Sequence, residues 1–433
     1  MTRQGPHPLR FFALILPFGA AFGYASVALQ WVATQRHGVP VAAFAAEVIA
    51  PAFALHAFKW AWAPLVDATL GKRTWYLIGL ALTVAGVMAS AAIPISRETL
   101  HALAAVVVAS QVGLTFLGMA CEALMGALPL AEKGRASGFY QAGNFLGLGL
   151  GGGLALSLET ALPEPWMAGA VLCVLMLPCA LALVGLPEPA RHVHRLRDAV
   201  VGLGRDLRAM VVEKVPGRGW ILSAAGLSGI FIVLSPVGAG AAGNLWPSLA
   251  VQWHAGPGAV AVVNGWLGGV VGAVGALMGG FVADQLNRKL AYALAGGLTA
   301  ITGLLMAAGP RSATAYVGFV LAYTAFNGMA FAAFSAFVLE TIGHGAVATK
   351  YNIFAGLANL AIAYMTRVDA GAFARWSATA MLAVDAACTL GGVGVLFAMI
   401  ALVRRFAPRS DRASAQIAEL EAVGATADPP PAP

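Results

Sequence analysis

The sequence predicts an all-α membrane protein, with twelve transmembrane helices arranged as two pseudo-symmetric six-helix halves. Three observations carry that expectation. The chain is 59% hydrophobic and only 10% charged, against roughly a quarter charged for a soluble domain. Its apolar residues gather into runs of the roughly 20 residues that cross a bilayer. Landmarks of the first half recur, in order, in the second.

The runs are read between charges, prolines and glycine clusters. The first six are 10–33, 41–65, 75–95, 99–127, 138–158 and 166–186. A polar stretch, 187–218, separates them from 219–240, 258–283, 290–309, 313–340, 349–369 and 378–403. The expected organisation is an N-terminal half (1–186), a cytoplasmic central loop (187–218), a C-terminal half (219–406) and a disordered cytoplasmic tail (407–433) ending in PPPAP. Residues 241–257 are an outer connection or an extension of helix 7. The first run lacks an A-x-A cleavage site and is long enough to span, so it is expected to stay as helix 1.

Charge orients the bundle. With both termini inside, the cytoplasmic segments hold 20 of the 26 Lys and Arg, the outer segments hold five, and Lys59 lies within a helix. That bias places both ends in the cytoplasm of a bacterial-type inner (plasma) membrane. The net charge of +7 belongs to these short loops, so no nucleic-acid partner is expected. Cys121, Cys173, Cys179 and Cys388 all lie in apolar stretches without disulfide or metal spacing.

The repeat is explicit. Pro17-Phe18-Gly19-Ala20 answers Pro236-Val237-Gly238-Ala239. Asp67 with Lys72-Arg73 answers Asp284 with Arg288-Lys289. Tyr140-Gln141 answers Tyr351-Asn352. The offset drifts from 219 to 217 to 211, as an old duplication with loop deletions would. Parallel repeats of this kind place a substrate site near the midplane between the halves.

The loop after helix 8, Gly280-Phe281-Val282-Ala283-Asp284 followed by Arg288-Lys289, resembles the signature loop of the major facilitator superfamily. The resemblance implies the major facilitator fold and an inner gate made of Asp67, Lys72, Arg73, Gly280, Asp284 and Arg288. Gly280 would permit tight helix contact, and Asp284 would cap a neighbouring helix N-terminus. Arg288 would meet an inner-face acid, and Glu340, at the inner end of helix 10, would complement this loop. The first-half copy is more specific. Phe58-Lys59-Trp60-Ala61-Trp62-Ala63-Pro64-Leu65-Val66-Asp67 resembles AmpG-type muropeptide permeases and the related acetyl-coenzyme A transporters. So do Leu29-Gln30-Trp31, Asn327-Gly328-Met329-Ala330-Phe331 and Ala348-Thr349-Lys350-Tyr351. The chain departs from that family in helix 4, where Gly118 and Glu122 stand for two aspartates, and at Lys350, where the family has glutamine. Siderophore permeases of the same branch remain an alternative.

A charge inside a membrane helix costs at least ~2.5–3.5 kcal/mol on insertion scales, so it is first read as functional. Lys59 on helix 2 and Glu122 on helix 4 should be neighbours near the inner face. They are read either as a structural pair or as a proton-coupling site. Glu47 reads as solvated, Asp385 as peripheral, and Arg367 and Asp369 as rim charges. Gln30, Gln111, Gln141, Asn144, Asn264, Asn327, Asn352 and Asn359 are candidates for a substrate cavity, each also able to act as interhelical glue. Tyr24, Trp31, Trp246, Trp253 and Trp266 read first as an outer aromatic belt.

The expected function is therefore secondary active transport: a monomer in the lipid bilayer importing a polar or amphipathic small molecule with protons. No G-x-x-x-x-G-K-[ST] loop is present, and no cofactor, metal or catalytic residue is expected. The rival class, a polytopic membrane transferase, would need clustered His, Asp or Glu near the interface. The eight histidines are scattered.

Overall fold

A computed structural model describes residues 6–164, 166–188, 224–342 and 346–406, together with parts of 201–222. The tail 407–433 and most of the central loop lie outside the described residues.

Among the described residues outside 201–222 the chain winds into twelve helical segments. They are α1 (Leu9–Arg36), α2 (41–68), α3 (Lys72–Ala92), α4 (Leu100–Gly126), α5 (130–161), α6 (Trp166–Leu183), α7 (224–253), α8 (257–285), α9 (Arg288–Ala308), α10 (Ala313–Thr341), α11 (Val347–Arg375) and α12 (Ala378–Phe406). Eight of them are long and apolar enough to cross a membrane as they stand. The other four are α2, α5, α7 and α11, and each has a local reason. Helix α2 is divided into short α, π and 3-10 pieces. Helix α5 opens with the polar stretch Glu132, Lys133 and Arg135 and is rich in glycine. Helix α7 breaks at Ser235-Pro236. Helix α11 carries Lys350, Arg367, Asp369 and Arg375.

Two helix starts differ most from the sequence reading. Helix α5 begins at Leu130, eight residues before the apolar run, because Pro129 ends the preceding loop and Glu132 favours a helix start. Helix α7 begins at Ala224 rather than at 219. Before it, Val212–Val215 (β1) pairs antiparallel with Gly219–Leu222 (β2), with Val212 opposite Leu222 and Val215 opposite Gly219. The β-branched residues and the Pro216-Gly217 dipeptide between them suit a hairpin better than a helix end. Residues 241–253 extend α7 as short helical turns beyond Gly240, which takes a left-handed conformation (φ 56°).

The packing repeats with the sequence. Helix α2 lies on α11 and, equivalently, α8 lies on α5. Helix α4 lies on α11 and, equivalently, α10 lies on α5. These four pairs join the halves. Gly280 meets Gly138 so closely that a Cβ on Gly138 would stand 2.9 Å from the Gly280 Cα, which lets the α5 and α8 backbones touch. The loops 69–71, 127–129 and 286–287 mark one end of the bundle, the basic end.

Candidate functional site

The site begins with a broken helix. Pro64 has no N–H for the Trp60 carbonyl, so α2 cannot run through this point as regular α-helix. It tightens to a 3-10 turn over Lys59–Ala61 and restarts at Ala63. Phe58 and Trp60 are exposed on the bundle surface, while Lys59 between them turns inward and is buried. Trp62 Nε1 donates to Thr115 Oγ1 at 3.1 Å, which fixes this stretch against α4.

Inside, the Lys59 ammonium stands 3.4 Å from Glu122 Oε1. The Tyr140 hydroxyl donates to the same oxygen at 3.2 Å. Glu122 Oε2 accepts from Asn352 Nδ2 at 2.5 Å. One buried carboxylate thus gathers groups from α2, α5 and α11. Breaking a buried pair by removing one partner costs roughly 3–5 kcal/mol, because the remaining charge is left without compensation.

The same pattern recurs in its pseudo-symmetric place. Ser335 on α10 lies 2.8 Å from the Tyr351 hydroxyl, and its Oγ accepts from Gln141 Nε2 at 2.8 Å. Asn144 Nδ2 adds a longer bond of 3.4 Å to Gln141 Oε1. Tyr140-Gln141 and Tyr351-Asn352 are the residues the repeat aligns. Glu122 in one half is therefore matched by Ser335 in the other. The two networks have the same design, but only one contains an acid.

Towards the basic end the two signature aspartates each reach the opposite half. The Asp67 carboxylate accepts from the amides of Ala348 (3.2 Å) and Thr349 (2.9 Å) and from Thr349 Oγ1 (2.7 Å). It satisfies the first turn of α11, where the helix dipole favours an anion. Asp284 lies against Gly134 so tightly that no Cβ fits there, with Arg135 Nε at 3.7 Å. Arg288 bonds Glu340 at 2.7 Å and the Leu130 carbonyl at 2.5 Å, and Lys133 Nζ bonds the Leu339 carbonyl at 2.9 Å. Lys72 Nζ bonds the Val66 carbonyl at 2.5 Å, and Arg73 bonds the Leu186 carbonyl. The bonds of Asp67, Arg288 and Lys133 cross between the halves, so the basic end is closed in this structure.

The remaining cavity candidates are dispersed. Gln111 is buried against His56, whose Nε2 lies 2.8 Å from Gln111 Oε1. Asn327 packs against Gly240. Gln30 and Asn359 are half-buried. Asn264 is exposed and bonds the Val260 carbonyl of its own helix at 3.0 Å. Three of the five aromatics assigned to a belt are inside: Tyr24, Trp246 and Trp253 are buried, whereas Trp31 and Trp266 are exposed. Trp246 sits on Tyr323 edge to face (4.9 Å, 88°) and Trp253 beneath Arg311 (3.8 Å). Both therefore fill the α7 extension. Glu47 is partly exposed and paired with Arg97 at 2.9 Å. Asp369 and Asp385 are both buried, so Asp369 is not a rim charge and Asp385 is not exposed at the periphery.

The sequence reading passed over His56, Ser335 and the two tyrosine hydroxyls. His56 sits between Phe18 and Phe22, three residues before Lys59 on the same helix. An intramembrane histidine at that spacing was a usable signal.

A bundle of apolar helices with a buried polar network across its middle is the architecture of a membrane transporter. The Major Facilitator Superfamily model matches residues 11–366, and the chain belongs to that family. Its members are transporters and not enzymes, and this protein is a multi-pass membrane transporter. Among curated proteins it is 26% identical over 249 residues to the anhydromuropeptide permease of Escherichia coli (strain K12), a match covering 54% of this chain and 47% of that one. The chain thus spans about half the length of the curated relatives it matches. Among solved structures it resembles the human organic anion transporter MFSD10 (TM-score 0.64, 18% identity, 90% and 98% of the two chains). It also resembles the E. coli fucose:proton symporter FucP (0.65, 15%, 90% and 98%). A third likeness is the proton:xylose symporter XylE (0.67, 13%, 92% and 96%). Identities this low show the fold alone.

Proposed function

We propose that the protein is a proton-coupled carrier of the inner membrane that imports a polar or amphipathic small molecule, with a muropeptide as the first candidate. Both termini and the basic end face the cytoplasm in this reading, which the distribution of Lys and Arg supports. Glu122 carries the reading: it is a buried carboxylate on one half, bonded to Asn352 on the other and paired with Lys59.

Ionised, Glu122 holds the halves together at the basic end. A proton on it removes the attraction to Lys59. It also turns the bond from Asn352 into a neutral one, about half as strong as a charge-assisted bond. The halves then part more readily, and water entering from the cytoplasm receives the proton. Binding a proton on one side and losing it on the other couples its gradient to the rocking of the halves. Asp67 and Asp284, with Lys72, Arg73, Gly280 and Arg288, form the gate that resets when the basic end closes. Gln141 and Asn144 border the seam on the side away from that gate and are the first candidates for substrate contact, with Gln30 and Asn359 further out. The similarity to an anhydromuropeptide permease suggests the substrate; a siderophore or another organic solute is the alternative.

The test is uptake of a radiolabelled anhydromuropeptide into vesicles with an imposed pH gradient. The native protein should accumulate it, and Glu122→Gln should lose accumulation while still exchanging it downhill. Undiminished accumulation by Glu122→Gln removes this residue from the coupling role. Absence of any uptake by the native protein removes the muropeptide.

A further inference from the structure

A second group of buried acids lies far from the Glu122 network. Asp369 on α11 is 0% exposed and Asp385 on α12 is 2% exposed. Seventeen residues of one helix separate Asp369 from Asn352, about 25 Å at 1.5 Å per residue. The pair therefore sits towards the end of the bundle opposite the basic end.

Its surroundings are complete except for one feature. The Tyr323 hydroxyl on α10 donates to Asp385 Oδ2 at 3.2 Å. The backbone of Ala242, in the α7 extension, lies against Asp385. Trp246 closes over Tyr323. Asp369 faces Asp385 within hydrogen-bonding range. Yet among the described residues neither oxygen of Asp369 meets a donor. The ion pairs of the described residues include no Lys, Arg or His with either aspartate. The other titratable groups facing the pair are Tyr323 on α10 and Cys388 on α12; α7 contributes only backbone. Arg367, two residues from Asp369, is exposed.

We propose that Asp369 and Asp385 hold one proton between them, forming a protonation site in the C-terminal half that is separate from Glu122. Two ionised carboxylates facing each other in a buried site repel, and among the described residues the oxygens of Asp369 lack a donor. A single shared proton removes both defects: the hydroxyl of one acid donates to the carboxylate of the other. The ligand is the proton itself, clamped between α11 and α12 with α10 and α7 as walls. This inference does not depend on the transport reading.

The test uses the purified full-length protein in lipid nanodiscs, with its aspartate side-chain carboxyls labelled with carbon-13. Infrared spectra at neutral pH should show the isotope-shifted stretch of one protonated aspartate carboxyl per chain. The band should disappear in the double variant Asp369→Asn/Asp385→Asn, which keeps the shape of both side chains. In Tyr323→Phe it should persist at a shifted frequency, because the acid loses a hydrogen-bond donor. Replacing potassium by sodium at constant ionic strength should leave it unchanged. Absence of the band from the native protein overturns the proposal without reference to any variant. A band that survives unaltered in the double variant does the same, and loss of the band in sodium would make the pair a cation site.

Discussion

Lys59 and Glu122 are each costly alone in a membrane interior, and together they offset much of that cost. A purely structural pair and a coupling pair make different predictions. Replacing either residue singly should lower stability by about 3–5 kcal/mol, read as a fall in the detergent-solubilised melting temperature. The double substitution Lys59→Met with Glu122→Met should recover most of that loss. A structural pair would recover pH-driven uptake as well, whereas the coupling account expects none. The pair itself was legible from the sequence, because two lone charges near the same ends of helices 2 and 4 have few other solutions. Asn352, Tyr140 and Ser335 were harder to see. Their hydrogen bonds depend on which helices touch across the halves, and a single polar residue in a membrane helix is more often plain interhelical glue. Asp369 and Asp385 were misjudged for a related reason. Position near a helix end and on a terminal helix suggested exposure, but the α7 extension covers that end.

Among the elements, the joins between halves carry the proposed gate. Asp67 meets the first turn of α11 with three hydrogen bonds. Asp67→Asn keeps the shape but loses the charge that suits the dipole, worth about 0.3–1 kcal/mol near a helix end. It should therefore slow transport with little loss of folded protein; a normal rate at normal expression would show that this contact does not gate. The α5–α8 contact is tighter. Gly280→Val forces a branched side chain against the Gly138 backbone, where overpacking costs about 1–3 kcal/mol. Thermal unfolding should report a drop of that size, and an unchanged midpoint would mean that the two backbones are not in contact. The element starts at Leu130 and Ala224 escaped the sequence reading because hydropathy marks the lipid-crossing part of a helix. It is silent about a polar first turn such as Glu132-Lys133, and it reads an apolar strand such as Gly219–Leu222 as more helix.

For the whole molecule, the repeat was the most informative feature of the sequence. It placed the two signature loops and the Tyr140 and Tyr351 landmarks, and the structure joins those landmarks into two matched networks. Orientation rests on charge and is open to direct test. Cysteines placed at His37 and Arg97, in an otherwise cysteine-free protein, should react with an impermeant thiol reagent added outside intact cells, and one placed at Arg205 should not. Labelling of 205 from outside would invert the topology. The central claim is that the charge state of Glu122 sets whether the basic end is closed. The most direct test is the distance between spin labels at Leu70 and Leu286, two exposed loop positions on opposite halves, measured by double electron–electron resonance. Glu122→Gln, which mimics the protonated side chain, should shift the distribution towards longer separations under conditions where the native protein shows the short one. The same short distribution in both proteins would contradict the account.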